Sequence, residues 1–436
     1  MAQLAISAIN DVLLEEIDPK LTDVTLRPRF FLDKVVEDRS DIRKTLGGRS
    51  YYTEWVLKTQ KAAGMGPRGA AGDLPTHVDP KYDKARMTLC RWYSTHEYDG
   101  PLESISDVNE VTDSIAGGVK DIRDNIAYQQ EVSFIGNGNA ALAYVSGGAN
   151  DGTYTTYTCS ENEWWPGTRR LTPGLRIDSY DGYVGYGTGT IGLDSKTVYD
   201  IPSTTTFRVV EASETSIDAD CIYFEDGSGT QVDSYPGGIT QLIDGPNSHG
   251  AAWETTGGQS NASIENIDGT SLTYWQSYVS SAASARYLDD ELLQDVADAI
   301  IVKVGEARYA QTDPVLLSNR AIQSRLRKDK SAENTWMNKT EMIAGIQVVK
   351  VQVNERELPW VVDEACGVNV LHWIDTNQLL FKALPMRLVD PRGYVQVIGT
   401  NGLGTDAYRM QYKRYSQLGI KARDTSASIR DLKTSG

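Results

Sequence analysis

The sequence predicts an α+β protein with several domains, and three observations support this fold class. A long amphipathic helix is expected over Pro101–Gly138, a β-patterned ribbon precedes it at residues 51–98, and helix and strand patterns alternate over residues 288–403. At 436 residues the chain is long enough for two or three domains with a large buried core. Its 40% hydrophobic and 23% charged residues are typical of a globular protein, so we expect it to fold rather than remain disordered.

Residues 1–48 are predicted to form an N-terminal arm. Leu4–Ile17 has the pattern of a short helix that Pro19 ends, and Phe30–Val36 supplies a small apolar cluster. Acidic residues are mixed into the first of these segments, so it does not resemble a secretory signal. No run of the sequence approaches 18 apolar residues, and therefore no membrane span is predicted.

Residues 49–99 are predicted to form an extended hairpin loop. Tyr51–Lys58 and Lys84–Tyr98 show the alternation of β-strands, and the connection at residues 62–75 carries four glycines and two prolines. A ribbon of two strands is only marginally stable alone in water. It therefore needs support from another surface, either on its own chain or on a neighbouring subunit. A mobile lid is the alternative interpretation.

The long helix is the element around which the rest of the chain is expected to be organised. Pro101 suits the first helical position, and Gly136–Gly138 tolerates the left-handed conformations that end a helix. From Leu102 to Ile135 the helix would be roughly 50 Å long, and such a length needs an equally long partner surface. Its predicted core stripe comprises Ile105, Val108, Ile115, Val119, Ile122 and Ile126.

Residues 167–275 are predicted to form an inserted all-β module, a small barrel or sandwich. This part is rich in Gly, Ser, Thr, Asp and Tyr, and Asp–Gly pairs supply turns between short β-patterned runs. The runs are Leu175–Ile177, Thr206–Val210, Cys221–Phe224, Ile239–Ile243 and Ser271–Trp275. Residues 146–285 hold 18 acidic and five basic residues, and thus −13 of the net charge of −16. This balance indicates a separate solvated module and argues against a dedicated DNA-reading protein.

The remainder of the chain is predicted to form an α/β domain at residues 276–403 and two returning strands at residues 404–436. Asp289–Glu291 places acidic residues in the first turn of a helix. The predicted strands are Pro314–Leu317, Ile346–Val353, Val368–Trp373 and Tyr394–Ile398, with a helix at Asn319–Lys328.

The residues that usually carry chemistry do not form a recognisable constellation. The four histidines have neither metal-binding nor catalytic spacing, and the four cysteines lie far apart and are expected to be reduced. Gly187–Gly192 matches the dinucleotide-binding pattern, but strand patterns follow it where a helix is required. The Asp–Gly pairs lack the spacing of a calcium loop. We therefore predict no catalytic, cofactor-binding or metal-ligating residues and no enzyme activity. Trp164, Trp165 and Trp253 could stack against sugars, although packing against strands is the favoured interpretation.

The order of the elements resembles that of the major capsid protein of tailed bacteriophages, which has the Hong Kong 97-like fold. Four stretches are similar to segments of that family, and the resemblance covers the chain from about residue 45 onward. They are EVSFIGNGNAALAYVSGG (Glu131–Gly148), LTPGLRIDSYDG (Leu171–Gly182), YPGGITQLID (Tyr235–Asp244) and YRMQYKRYSQLGIKARDTSASI (Tyr408–Ile429).

This resemblance implies a subunit that self-assembles into the icosahedral shell enclosing packaged double-stranded phage DNA. The extended loop would lie over an adjacent subunit and contact it through its tip. The long helix would be the spine of a peripheral domain that begins with residues 100–166 and is completed by the C-terminal strands. Residues 276–403 would be the axial domain. The tip residues are Gly64, Met65, Gly66, Pro67, Arg68 and Gly69.

The same resemblance implies the partners and the location. The subunit would form hexamers and pentamers, meet a portal protein and touch packaged DNA without sequence specificity, with no membrane involved. Only about 50 residues precede the hairpin, so we expect a separate scaffolding protein, and a decoration protein is a further candidate partner. The shell would be assembled in the cytoplasm of a bacterial host and would end in the virion. The alternatives are a tail or fibre protein that binds surface carbohydrate, an encapsulating compartment subunit and an unrecognised hydrolase.

Overall fold

The computed structural model of the protein combines several β-sheets with α-helices, which makes the fold α+β. The structure describes residues 37–45, 50–60, 77, 79–99, 123–138, 140–181, 192–210, 217, 220–225, 237–244, 263–264, 267–268, 275–332, 340–343, 346–389, 395–398 and 404–434.

The elements of the described residues are numbered in chain order. The strands are β1 (Glu37–Asp38), β2 (Arg43–Lys44), β3 (Tyr51–Gln60), β4 (Lys81–Thr88), β5 (Cys90–Asp99), β6 (Ala143–Asn150), β7 (Tyr154–Cys159), β8 (Arg176–Asp181), β9 (Lys196–Ser203), β10 (Thr206–Val210), β11 (Asp220–Phe224), β12 (Ser263–Ile264), β13 (Ile267–Asp268), β14 (Tyr278–Ser280), β15 (Pro314–Ser318), β16 (Thr340–Ile343), β17 (Ile346–Val353), β18 (Arg356–Val362), β19 (Leu371–Asp375), β20 (Leu379–Ala383), β21 (Arg387–Leu388), β22 (Val395–Ile398), β23 (Gly404–Ile420) and β24 (Ala427–Ile429). The helices are α1 (residues 123–135), α2 (Ile239–Asp244), α3 (Asp290–Val304), α4 (Glu306–Tyr309) and α5 (Arg320–Ala332), and a 3-10 turn lies at Thr376–Gln378.

Seven strands form a large sheet in the order β14-β24-β19-β15-β18-β17-β16. Helix α3 contributes Val296 and Ile300 to a core that also holds Trp360 and Trp373 of the sheet. The helix begins where its acidic residues predict, because Oδ1 of Asp289 accepts a hydrogen bond from the Leu292 amide at 2.8 Å. The alternation of helices and strands in this part of the sequence therefore produces a sheet with helices packed on it.

Six antiparallel strands close into a barrel in the order β10-β7-β6-β11-β8-β9. Its side chains alternate between interior and exterior, as the 2-residue period of a strand requires, and Tyr157 and Phe207 meet inside with ring centroids 5.3 Å apart. The barrel begins at Ala143, before residue 167, where the sequence predicts the module to start. The difference arises because β6 and β7 look like part of the preceding domain in sequence but pair only with barrel strands.

The described residues divide into two compact units. The smaller unit holds most of β5, α1 up to Glu131, β21, β22 and the first part of β23. In this unit β23 pairs with β5, β21 and β22. The larger unit holds the ribbon of β3 and β4, the barrel and the seven-stranded sheet. Within the larger unit, β20 pairs with the end of β23 and, in parallel, with β1. None of the described helices has both the length and the apolarity needed to cross a membrane.

Three elements differ from the sequence prediction. Ile239–Ile243 forms helix α2 instead of a strand. The predicted strand Lys84–Tyr98 is two strands separated at Leu89, and only β4 pairs with β3 in the ribbon, because an alternating pattern does not specify a partner. The C-terminal segment splits as well, since β23 enters the smaller unit whereas β24 pairs with β19 and β14 in the seven-stranded sheet.

Candidate assembly surfaces

The ribbon of β3 and β4 is an antiparallel pair in which Thr53 lies opposite Met87 and Trp55 opposite Ala85. These pairs share one face, and Thr53, Ala85 and Met87 are buried within the larger unit. Farther toward the tip the ribbon emerges, because Val56 is 65% exposed and Tyr82 is 59% exposed. The described part of the ribbon is thus anchored at its base, and farther along it exposes Val56 and Tyr82 among charged side chains.

Charged side chains stiffen the other face of the ribbon. Oε2 of Glu54 forms ion pairs with Nζ of Lys84 at 2.6 Å and with Nη1 of Arg43 at 3.6 Å. The hydrogen bond from Lys84 is the main cause that lowers the pKa of the Glu54 carboxyl. The guanidinium of Arg86 stacks over the ring of Tyr52 at 4.3 Å. Such cross-strand pairs stabilise a ribbon whose backbone alone is marginal.

Gln417 fixes the base of the ribbon to two other segments of the larger unit. Its Oε1 accepts a hydrogen bond from the Gly237 amide at 2.7 Å, and its Nε2 donates to the Thr88 carbonyl at 3.2 Å. The Cys90 thiol lies 3.9 Å from the same Oε1. One buried side chain therefore connects the end of β4, the start of β5 and the loop before α2.

The end of α1 and the start of α2 meet through glycines. The helix ends at residue 135, as the Gly136–Gly138 sequence predicts, and Gly138 has a φ of +79°. A Cβ on Gly138 would lie 1.9 Å from Oε1 of Gln241, so a side chain at this position would require the Gln241 side chain to move. The Thr240 hydroxyl donates to the Ile135 carbonyl at 3.3 Å. The sequence does not predict this contact, although the paired glycines in both segments are the signal that could have indicated it.

Two buried arginines hold irregular backbone in the larger unit. Arg423 donates from Nε to the Leu242 carbonyl at 2.6 Å and stacks over the ring of Trp275, and thereby satisfies the C-terminal end of α2. Arg170 donates from Nε to the Ala365 carbonyl at 2.9 Å and so connects the barrel region to the loop before β19. Buried charges of this kind are stable only with several hydrogen bonds, so both loops are fixed in place.

The end of the predicted arm is attached to the sheet through Lys382. Asp38 in β1 lies opposite Lys382 in β20, and the buried Lys382 ammonium contacts the Asp38 carboxylate and donates to the Ser40 carbonyl at 3.0 Å. The hydrogen bond from Lys382 is the main cause that lowers the pKa of Asp38 to about 2. The chain before β1 lies outside the described residues.

Most of the predicted interface and helix-core residues lie outside the described part of the chain. This applies to the whole tip set, Gly64, Met65, Gly66, Pro67, Arg68 and Gly69, and to Ile105, Val108, Ile115, Val119 and Ile122 of the helix stripe. Ile126 is described and is fully buried in the smaller unit. The roles of these residues stay predictions.

Most of the described side chains that were considered for chemistry are buried in the core. His372 is buried in the interior strand β19, where desolvation and then Arg430 lower its pKa to about 3, which keeps the ring neutral. Burial raises the pKa of the Cys159 and Cys221 thiols to about 12, so neither is poised as a nucleophile. Trp164 and Trp165 are buried core residues. No group of three or more metal-ligating side chains occurs among the residues that the structure describes.

Comparison with solved structures shows which class of fold this arrangement belongs to. The chain matches no protein-family model, and no curated protein matches its sequence. In structure it is similar to a chain of the cyanophage A-1(L) capsid asymmetric unit, with 10% sequence identity, a TM-score of 0.51 and coverage of 98% of this chain and 99% of that one. The fold is therefore that of a phage capsid protein, and the resemblance to the tailed-phage major capsid protein is confirmed at the level of the fold.

Two further structures are similar over nearly their full lengths. The capsid of the native GTA particle matches with 10% identity and a TM-score of 0.47, covering 99% of this chain and all of that one. The SrpI encapsulin from Synechococcus elongatus matches with 8% identity and a TM-score of 0.42, covering all of this chain and 98% of that one.

Proposed function

We propose that this chain is a major capsid protein that assembles with many copies of itself into the icosahedral shell of a bacteriophage. Its fold, shared over almost the whole chain with a cyanophage capsid chain, supports this proposal. The single observation that carries it is the ribbon, which has a buried base and, farther along its described strands, the exposed apolar side chains Val56 and Tyr82. A ribbon of this kind is suited to lie across a neighbouring subunit.

The energetics of the ribbon favour an intermolecular role. Val56 and Tyr82 are among the most exposed large apolar side chains of the described chain, and they lie on strands that pair with each other. Burying one such side chain contributes on the order of 1–3 kcal/mol. The contribution is small for one pair of subunits, but a closed shell repeats the contact in every subunit, and the total becomes large through multivalency.

The remaining parts of the proposal follow from the same assignment. The subunits form hexamers and pentamers, a separate scaffolding protein guides their assembly, and a portal protein occupies one vertex. The shell encloses double-stranded DNA, touches it without sequence specificity and accepts a decoration protein on its surface. Residues 100–166 and 404–436 then contribute to the peripheral domain and residues 276–403 to the axial domain. The protein has a structural rather than a catalytic role. It is assembled in the host cytoplasm and functions in the virion.

Removing the ribbon tip tests the proposal. Residues 62–75 are replaced by Gly-Ser-Gly, the variant is co-expressed with its scaffolding protein, and melting of the free subunit is compared with sedimentation of the assembled particles. We expect a nearly unchanged melting temperature and a loss of closed particles. Normal shells from this variant would remove the extended-loop assignment. Loss of the fold would show that the ribbon is part of an intramolecular core.

A pair of point variants sharpens the same test within the described residues. Val56→Asp places a charge on the exposed part of the ribbon, and Val210→Asp makes the same change on the barrel strand β10, where Val210 is 50% exposed. Both variants should fold, because neither side chain belongs to the core. Only Val56→Asp should block assembly. Negative-stain microscopy then separates closed shells from the spikes of a fibre protein and from small monodisperse particles.

A further inference from the structure

The barrel carries an exposed aromatic surface that the assembly role does not use. Tyr154 of β7 and Tyr199 of β9 stack with their ring centroids 4.7 Å apart and their planes at 27°. Tyr199 is 50% exposed, and so is Val210, which lies opposite Tyr154 across the strand pair. The three side chains form a continuous apolar platform on the outer face of the barrel.

An ion pair, which carries no net charge, lies beside this platform. The Arg208 guanidinium makes a two-pronged contact with the Asp200 carboxylate, with Nε 2.6 Å from Oδ1, and its Cζ lies 5.2 Å from the centre of the Tyr154 ring. The Arg208 side chain makes no other hydrogen bond among the described residues. Both side chains are about one-third exposed, with 32% for Arg208 and 34% for Asp200. The pair is thus available for hydrogen bonding without a net charge.

The backbone holds this surface in a fixed shape. Oδ1 of Asp151 accepts hydrogen bonds from the amides of Thr153 at 2.9 Å and Tyr154 at 2.7 Å, which fixes the turn between β6 and β7. A register shift between β9 and β10 lies between the Arg208–Asp200 and Val209–Val198 pairs, so Tyr199 occupies the bulged position. Bulges of this kind re-aim a side chain, and here the result is a Tyr199 ring that stacks on Tyr154 and is half exposed.

We propose that Tyr154, Tyr199, Val210 and the Arg208–Asp200 pair form a binding site for neutral carbohydrate. A pyranose ring has an apolar face of C–H groups and an equatorial edge of hydroxyl groups. The apolar face stacks on an aromatic ring, and the hydroxyl edge both accepts from a guanidinium and donates to a carboxylate. The internal neutralisation of Arg208 by Asp200 favours an uncharged ligand over a charged one. This site is independent of the shell assembly proposed above.

Affinity electrophoresis tests this site on the full-length chain. The protein is run in native gels that contain dextran, mannan or arabinogalactan, and its mobility is measured as a function of polysaccharide concentration. With a net charge of −16 the chain migrates strongly, whereas the neutral polysaccharides do not migrate, so binding appears as retardation. We expect at least one of the three polysaccharides to retard the protein. Absence of retardation in all three gels would overturn the proposal.

Matched variants assign the binding to this surface. Tyr199→Ala should weaken the apparent affinity about tenfold, whereas Tyr199→Phe, which keeps the ring, should remain within about twofold. Arg208→Gln should also weaken binding, because it removes the guanidinium donors. Tyr82→Ala removes a similarly exposed tyrosine from the ribbon and should bind like the unaltered protein. Unchanged retardation of Tyr199→Ala, or equal loss in Tyr82→Ala, would place the binding elsewhere and overturn the assignment.

Discussion

Gly238 lies so close to Gly136 that a Cβ atom on Gly238 would fall 2.0 Å from the Gly136 carbonyl oxygen and 2.5 Å from the Gly138 amide nitrogen. Two backbone segments about a hundred residues apart in sequence are therefore in direct contact, without intervening side chains. Gly237 extends the junction, since a Cβ there would lie 2.2 Å from the Leu418 carbonyl oxygen. The end of α1, the start of α2 and the end of β23 thus form a junction that depends on glycine.

Gly238→Ala should strongly destabilise the protein. The new methyl group would overlap backbone atoms that cannot rotate away, and overpacking of this kind costs about 1–3 kcal/mol or more. Gly174→Ala is the matched control, because Gly174 has a φ of +83° in the turn that the Leu175 amide closes on the Thr172 carbonyl, and no atom lies within 4 Å of its Cβ position. That change carries only the backbone penalty of a positive φ, about 1 kcal/mol. Denaturant unfolding of both variants compares the two costs, and equal midpoints would show that the junction opens readily.

Part of this junction could be predicted from the sequence and part could not. The end of α1 was correctly placed because Gly136–Gly138 is a local signal whose physical cause lies within a few residues. The segment Ile239–Ile243 was wrongly predicted as a strand, because a short apolar run fits a buried helix and a buried strand equally well. Its helical form depends on distant groups, since Arg423 binds the carbonyls of Leu242 and Ile243. No local pattern reports such a partner.

Gln417→Leu should loosen the base of the ribbon. The substitution keeps the volume but leaves the Gly237 amide and the Thr88 carbonyl without this partner, and an unsatisfied buried group costs about 1–3 kcal/mol. We expect a loss of about 2 kcal/mol or more in the free energy of unfolding, together with faster hydrogen exchange of the Gly237 amide. Gln411→Leu is the control on the same strand, where the side chain is half-buried, and should change stability by less than about 0.5 kcal/mol. A similar loss in both variants would contradict a specific role for Gln417.

The ribbon also shows which features of the fold a single sequence does not predict. The alternation in Tyr51–Lys58 correctly indicates a strand, and β3 covers it. The pattern in Lys84–Tyr98 is equally regular, yet its second half pairs with β23, more than 300 residues away. Strand pairing depends on contacts across the whole chain, which a single sequence does not display. For the same reason the exposed Tyr154–Tyr199 platform could not be distinguished from core aromatics before the strands were placed.

His372 should make the protein sensitive to mild acid. Its folded-state pKa of about 3 lies below the ordinary value of 6.5, so the unfolded state binds a proton first as the pH falls. The stability that the neutral ring contributes is present above pH 6.5 and is lost as the pH falls toward 3, by about 1.4 kcal/mol per pH unit. His372→Leu removes this pH dependence. The raised pKa of the Asp375 carboxyl remains in this variant, and its contribution to stability changes with pH in the opposite direction.

Urea unfolding at pH 6.5 and pH 4.5 measures the effect. Between these values the unaltered protein should lose about 2 kcal/mol more than His372→Leu. His77→Leu is the control, because His77 is exposed and its contact is with Asp79 at 2.8 Å. That variant should keep the acid sensitivity of the unaltered protein. Equal slopes for the unaltered protein and His372→Leu would mean that another group titrates in this window.

Ile126→Asp should abolish the folded state of the smaller unit. Ile126 is fully buried on α1, whereas its neighbour Asn125 is exposed, so one face of the helix is covered and the other meets solvent. An unpaired charge at a buried position costs several kcal/mol, comparable to the entire stability of a domain. We therefore expect insoluble protein from Ile126→Asp and an unchanged melting temperature for Asn125→Asp. Because an insoluble variant gives no measurement, Ile126→Val supplies a graded test, with an expected loss of about 0.5–1.5 kcal/mol from one missing methyl group. A soluble Ile126→Asp with a native melting temperature would show that this face of α1 is open and that the predicted stripe is misplaced.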